Sequence, residues 1–136
     1  MATDMLAALG AVPLFGGLSK KELKAIAATG KEIDHEAGHV ITEEGKSGVA
    51  FFLILEGHAD VSVGGVSQRT IGPGEHFGEI SLIDGGPRSA TVTATEPMHL
   101  FGLTSWNFKP LLTEHPEMTH KLLLGLCKML RVQSHT

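Results

Sequence analysis

From Lys31 to Leu103 the chain is a series of short runs rich in Val, Ile, Phe and Thr, broken at Gly38, Gly45, Gly48, Gly57, Gly64, Gly65, Gly72 and Gly74. Turn signals this closely spaced leave no room for long helices and predict a small antiparallel barrel or sandwich. Val49 to Leu55 is continuously apolar and reads as a buried strand, whereas Ala59 to Val63 alternates and reads as half exposed. Gly64-Gly65 then supplies a two-residue hairpin turn into Val66 to Ile71. Thr91 to Thr95 and Met98 to Leu103, separated by Pro97, complete the set of strands.

Helical signals flank this region. Ser19 and Glu22 have capping-box spacing, Leu23, Ile26 and Ala27 follow at helical intervals, and Gly30 is expected to cap the C-terminus. Beyond Leu103, Thr104 or Ser105 can cap a short helix carrying Trp106, Phe108, Leu111 and Leu112, and Pro116 suits the first turn of another. Met118, Leu122, Leu126, Met129 and Leu130 form an apolar stripe, expected to be core or a dimer seam. The expected organisation is a single mainly β domain. Its parts are a helical segment 1–30, a jelly-roll-like β-barrel (a double-stranded β-helix) 31–103, and two C-terminal helices within 104–132.

At 136 residues the chain can bury one core without disulfides or metal. The formal net charge is -4 and no basic run occurs, which argues against a nucleic-acid surface. Cys127 is the single cysteine, so no internal disulfide forms; it is expected to be an inert thiol packed within its helix in a reducing compartment. The apolar stretch Met5 to Phe15 has no Lys or Arg ahead of it and is interrupted by Pro13. It reads as a packing helix of a cytoplasmic protein, not as a signal sequence or membrane anchor.

Anion-binding chemistry concentrates between Phe77 and Val92. Arg88 can neutralise a phosphate through a planar fork of donors. Glu79 only accepts when ionised and would repel that phosphate, so it wants a hydroxyl such as a ribose supplies. Small residues around both let a ligand approach the main chain. Taken alone, an Arg and a Glu nine positions apart in a β domain would be read as a surface ion pair.

The whole stretch Phe77-Gly78-Glu79 followed by Pro87-Arg88-Ser89-Ala90-Thr91 resembles the phosphate-binding cassette of the cyclic nucleotide-binding domain family. Glu44-Gly45, Leu55-Glu56-Gly57 and Gly72-Pro73-Gly74 match its structural glycines, and the resemblance covers roughly Leu14 to Leu130. It implies a jelly-roll-like fold that binds a cyclic nucleotide, with no cofactor and no catalysis. By that resemblance Arg88 contacts the cyclic phosphate and Glu79 takes the ribose 2'-hydroxyl, while Gly78 admits the sugar. Phe77 and Ile80 belong to the same stretch, Ser81 opens a short helical turn, and Ser89 and Ala90 offer amides after Arg88.

Two departures bear on the base. Lys46 stands where the family often has an acidic residue, and no aromatic residue follows Phe108, so Leu126, Met129, Leu130 or Arg131 would have to cover the base. Ser89 is compatible with cyclic AMP, the favoured ligand, and leaves cyclic GMP open. The chain would act as a stand-alone sensor on a protein effector in trans, as a monomer or as a homodimer through the last helix. The rival readings are an interaction module that no longer binds ligand and a cupin-like metal enzyme. The latter lacks a His-x-His, and Gly38 interrupts the spacing of His35, His39 and Glu43.

Overall fold

The structure, a computed structural model, describes residues 4–134. The N-terminal layer contains α1 (Met5–Ala11), a 3₁₀ turn (Pro13–Phe15) and α2 (Lys20–Thr29). Eight strands follow: β1 (Lys31–His35), β2 (Val40–Thr42), β3 (Ala50–Glu56), β4 (Ala59–Val63), β5 (Val66–Ile71), β6 (His76–Phe77), β7 (Thr91–Ala94) and β8 (Met98–Thr104). A short helix, α3 (Glu79–Asp84), lies between β6 and β7, and α4 (Ser105–Glu114) and α5 (Pro116–Ser134) close the chain.

The strands form two antiparallel four-stranded sheets, ordered β1-β8-β3-β6 and β2-β7-β4-β5. This is the antiparallel β architecture that the glycine spacing predicted, in the jelly-roll-like form that the family resemblance implied. Glycines 64 and 65 take positive φ angles of 60° and 80° between β4 and β5, as a tight hairpin turn requires.

The continuous apolar character of β3 has a direct cause: the strand is covered on both faces. Ile54 points between the sheets with Ala59, Ile71, Val92, Ala94, Met98 and Leu100. Phe51, Leu53 and Leu55 point the other way, onto a second core built with α1, α2, α4 and α5. There the rings of Phe15 and Phe51 meet edge to face, 5.5 Å apart. Fully burying each such side chain stabilises the fold by about 1.5–3 kcal/mol.

The capping box at Ser19 and Glu22 is present, with Ser19 N donating to Glu22 Oε1 at 2.8 Å. The same Oε1 receives Lys121 Nζ at 2.8 Å, which ties α5 to α2. Gly30 caps α2 as expected, its N–H donating to Ile26 O, in extended backbone with φ -88°. Close packing is what excludes a side chain there: a Cβ would lie 2.3 Å from the ring of Phe101.

Cys127 differs from expectation. It is exposed, because the buried side of α5 runs through Met118, Leu122 and Gly125, and Cys127 falls on the other side. The apolar stripe divides in the same way. Met118 and Leu122 are buried and Leu126 and Met129 pack partly on the core, while Leu130 is 64% exposed. Among the described residues no helix is long and apolar enough to cross a membrane.

His99 on β8 links two carboxylates of β1, with Nδ1 2.6 Å from Asp34 and Nε2 2.5 Å from Glu32. These contacts, Asp34 first and Glu32 next, raise its pKa above the usual histidine value. A raised folded-state pKa contributes stability below the unfolded value and loses it as pH rises through the folded one. Thermal denaturation of the wild type should therefore show stability falling across that alkaline shift, and His99→Gln should remove this component. An unchanged pH slope in the variant would refute the assignment.

Candidate ligand-binding site

A cavity of about 390 Å³ opens between the second sheet and α3. The sequence-selected residues Phe77, Gly78, Glu79, Ile80, Ser81, Arg88, Ser89 and Ala90 all line it. The opposite wall comes from Val61, Arg69 and Ile71, with Thr42 and Val92 completing it.

Main-chain pairing with the loop after β2 holds Arg88 in place. Arg88 N donates to Lys46 O at 2.8 Å, Gly45 N to Arg88 O at 2.9 Å, and Gly48 N to Gly86 O at 3.2 Å. The guanidinium then threads between two glycines. A Cβ on Gly48 would lie 2.0 Å from Arg88 Nε, and one on Gly78 would lie 2.7 Å from Nη1. Nη1 is buried and has no hydrogen-bond partner among the described residues. Burial lowers the guanidinium pKa, yet arginine stays charged at neutral pH. An orphaned, buried, cationic donor is costly unless a partner completes it.

Gly78 caps α3 with φ 92°, and Leu82 N makes the first bond of the helix, to Gly78 O at 3.0 Å. The Glu79 amide serves its own carboxylate, so the amides of Ile80 and Ser81 are left ahead of the helix ladder. Ser81 is therefore not the opening residue of this turn. It is the third, and its buried hydroxyl donates to Gly86 O at 3.3 Å, bracing the loop that leads to Arg88. Ile80 is 53% exposed at the rim, and Phe77 packs on Phe52 with ring centroids 5.2 Å apart.

Glu79 is 14% exposed, and its Oε1 lies 2.9 Å from His76 Nδ1. Burial alone would raise the carboxyl pKa; the His76 contact and the Glu79 amide outweigh it, so the group lies below the usual carboxylate range. The site thus holds an ionised acceptor and a guanidinium, with no ion pair between them.

Several contributors escape a sequence-only reading. Val61 and Arg69 are register partners on β4 and β5, and Ile71 lies two residues beyond Arg69 on the same face. Strand parity is the only sequence signal for them, and a register shift between Val61 and Ser62 blurs it. Gly48 is another, since it stands in the sequence only as a turn residue. The four candidate base covers, Leu126, Met129, Leu130 and Arg131, do not line the cavity; α5 packs instead on the 3₁₀ turn, where a Cβ on Gly125 would lie 2.7 Å from Leu14 O. Lys46 pairs with Glu43 at 3.3 Å in its loop. His35 and His39 do meet across the Gly38 turn, their rings stacked 4.1 Å apart, but among the described residues no group of three metal-ligating side chains forms.

Comparison with known proteins points the same way. The family model described as "Cyclic nucleotide-binding domain" matches residues 32–115. The cAMP-dependent protein kinase regulatory subunit of Yarrowia lipolytica is 29% identical over 121 residues, 89% of this chain and 32% of that protein. The N-terminal domain of a transcriptional regulator from Streptomyces coelicolor superposes with a TM-score of 0.87 at 28% identity, covering 95% of this chain and 96% of that one. The regulatory domain of Toxoplasma gondii PKA, solved with cAMP, gives 0.70 at 28% identity over 78% of this chain and 42% of that one. The present chain therefore spans about a third of the kinase subunit it matches.

Because Arg88 fits only between two bare α-carbons, Gly48→Ala should expel its guanidinium. The expected outcome is a lower melting temperature than wild type together with a displaced Arg88 in a crystal structure. A variant with wild-type stability and an unmoved Arg88 would show that the fit is less tight than described.

Proposed function

The chain belongs to the cyclic nucleotide-binding domain family, whose members are regulatory ligand-binding domains, and on that premise we propose that the cavity binds a cyclic nucleoside monophosphate. The observation that carries this reading is the buried, unpartnered Nη1 of Arg88 in a cavity that also presents an ionised Glu79. A cyclic phosphate supplies the missing acceptor, and a ribose 2'-hydroxyl supplies a donor for Glu79. Gly78 and Ala90 keep that floor shallow enough for the sugar, the amides of Ile80, Ser81 and Ser89 lie beside the phosphate position, and Phe77 and Ile80 flank it.

Cyclic AMP is favoured over cyclic GMP. One relative is described as cAMP-dependent and one similar structure was solved with cAMP, and the exposed Ser89 hydroxyl makes no demand for a guanine amino group. Val61, Ile71 and Val92 offer the base an apolar wall. The chain acts as a sensor, not an enzyme, with no cofactor, in the cytoplasm and on a protein effector in trans. A homodimer would use the exposed side of α5, where Leu123, Leu124 and Leu130 are half exposed or more.

The switch is a population shift. With α5 resting on the 3₁₀ turn, the base side of the cavity is open; ligand favours a state in which the end of α5 swings over it. The Glu22–Lys121 pair would stay closed as the hinge, since it lies on the first half of α5.

Titration calorimetry tests the reading: wild-type protein should bind cyclic AMP, and no heat with either cyclic nucleotide at high micromolar concentration would end it. Arg88→Ala should weaken binding by about 1.5–3 kcal/mol, roughly one to two orders of magnitude. Glu79→Ala should cost more for cyclic AMP than for its 2'-deoxy analogue, and equal losses would contradict the ribose role. Saturation should change hydrogen exchange in the second half of α5; unchanged exchange there would remove the switch.

A further inference from the structure

Asp84 lines the cavity, and the cyclic-nucleotide reading gives it no role. It is the last residue of α3, it is exposed, and its Oδ1 accepts from Gly86 N at 2.7 Å. That bond ties the carboxylate to the loop that leads to Arg88: a Cβ on Gly86 would lie 3.0 Å from Asp84 Oδ1 and 3.3 Å from Oδ2. The turn needs only an acceptor, which a neutral side-chain amide supplies equally well. The charge does nothing for α3 either, since a carboxylate at a helix C-terminus faces carbonyls of the same sign. The ion pairs formed among the described residues do not include Asp84. The wall of an anion site thus carries a carboxylate whose charge the fold does not use.

The charged groups that line the cavity are Arg69 from β5, Glu79 and Asp84 from α3, and Arg88. Arg69 pairs with Glu75 at 3.6 Å, and Glu79 lies 2.9 Å from His76. Among the described residues Arg88 is the lining cation without a carboxylate partner, and its Nη1 has no hydrogen-bond partner. It can balance one negative charge. A second would have no cation to meet, and Asp84 would repel it. Taken as a sphere, the cavity of about 390 Å³ is about 9 Å across, close to the screening length of roughly 8 Å at physiological ionic strength. An occupant therefore feels every charge on the wall.

We infer that Asp84 is a specificity-determining residue that selects a phosphate bearing one negative charge over a phosphate bearing two. The inference rests on the cyclic-nucleotide reading and refines the ligand class of that site. A cyclic phosphodiester carries one charge. A linear nucleoside monophosphate, whose second ionisation lies near pH 6, carries close to two above neutrality. Asp84 repels each of these charges, so the linear ligand is opposed about twice as strongly as the cyclic one. Water added across one P–O bond of the ring, leaving a ribose hydroxyl and a phosphate monoester, turns the accepted ligand into the rejected one.

The test is displacement calorimetry at about pH 8 with cyclic AMP, 5'-AMP and the 5'-methyl phosphate ester of adenosine. The last is linear like 5'-AMP and singly charged like the cyclic ligand. Wild type should bind the methyl ester about two- to fivefold more tightly than 5'-AMP, the scale of one partly exposed charge interaction. Asp84→Asn, checked for cooperative unfolding, keeps an acceptor for Gly86 N and removes the charge. It should narrow the preference for cyclic AMP over 5'-AMP by about two- to fivefold and leave the ratio of cyclic AMP to the methyl ester unchanged. Equal gains for cyclic AMP and 5'-AMP, or no change in their ratio, overturn the inference. So does a wild type that binds the methyl ester no better than 5'-AMP, a comparison that needs no variant. Failure of 5'-AMP to compete at millimolar concentration with either protein would mean that its linear shape excludes it, and the role of Asp84 would fall. Absence of cyclic AMP binding by wild type would instead defeat the cyclic-nucleotide reading itself.

Discussion

A guanidinium held below the surface with one donor unsatisfied is the constraint around which this domain is arranged. Arg88 cannot be buried by apolar packing alone, since desolvating its charge costs far more than its methylenes return. Its position depends on main-chain bonds from Gly45, Lys46 and Gly48 and on two α-carbons without side chains. Those requirements in turn dictate the loop after β2, the left-handed cap of α3 and the braced Gly85-Gly86 turn. The two sheets supply rigidity, and the loops supply chemistry.

The two-faced β3 strand connects this arrangement to the helices. Phe51 contacts the ring of Phe15 on one side, and its backbone runs beneath Gly78 on the other. A displacement at the cavity floor therefore reaches the helical core through one layer of packed side chains. The Lys121–Glu22 pair fastens the near end of α5 to that core, while the far end carries exposed Leu130 and Val132. Buried contacts are thus fewest at the far end of α5.

Local signals made most of the fold legible. The glycine rhythm, the Gly64-Gly65 hairpin, the Ser19–Glu22 box and Pro116 each depend on neighbours in sequence, and each forms as read. Features that depend on distant neighbours were not legible. Gly30 is required by Phe101, a contact no local pattern announces. Cys127 was expected to be buried because α5 carries apolar residues on more than one side, with Leu123 and Leu124 exposed beside buried Leu122. In the site, Arg88 and Glu79 stood out by charge within a small-residue stretch. Ser81 does not open α3, because the helix begins two residues earlier, at Glu79, directly after the positive-φ cap Gly78. Val61, Arg69 and Ile71 needed a sheet register, and His76 needed a distance.

Glu44 gives the loop that holds Arg88 a second attachment. Its carboxylate accepts from Gly64 N at 2.8 Å, and its amide donates to Thr91 Oγ1 at 3.0 Å. The tip of the β4–β5 hairpin, ordinarily the most permissive place in such a fold for an inserted residue, is thereby moored to the loop that holds Arg88. The loop that holds Arg88 and the strands that carry Val61, Arg69 and Ile71 consequently share one anchorage, so a substitution that shifts one wall of the cavity is felt at the other.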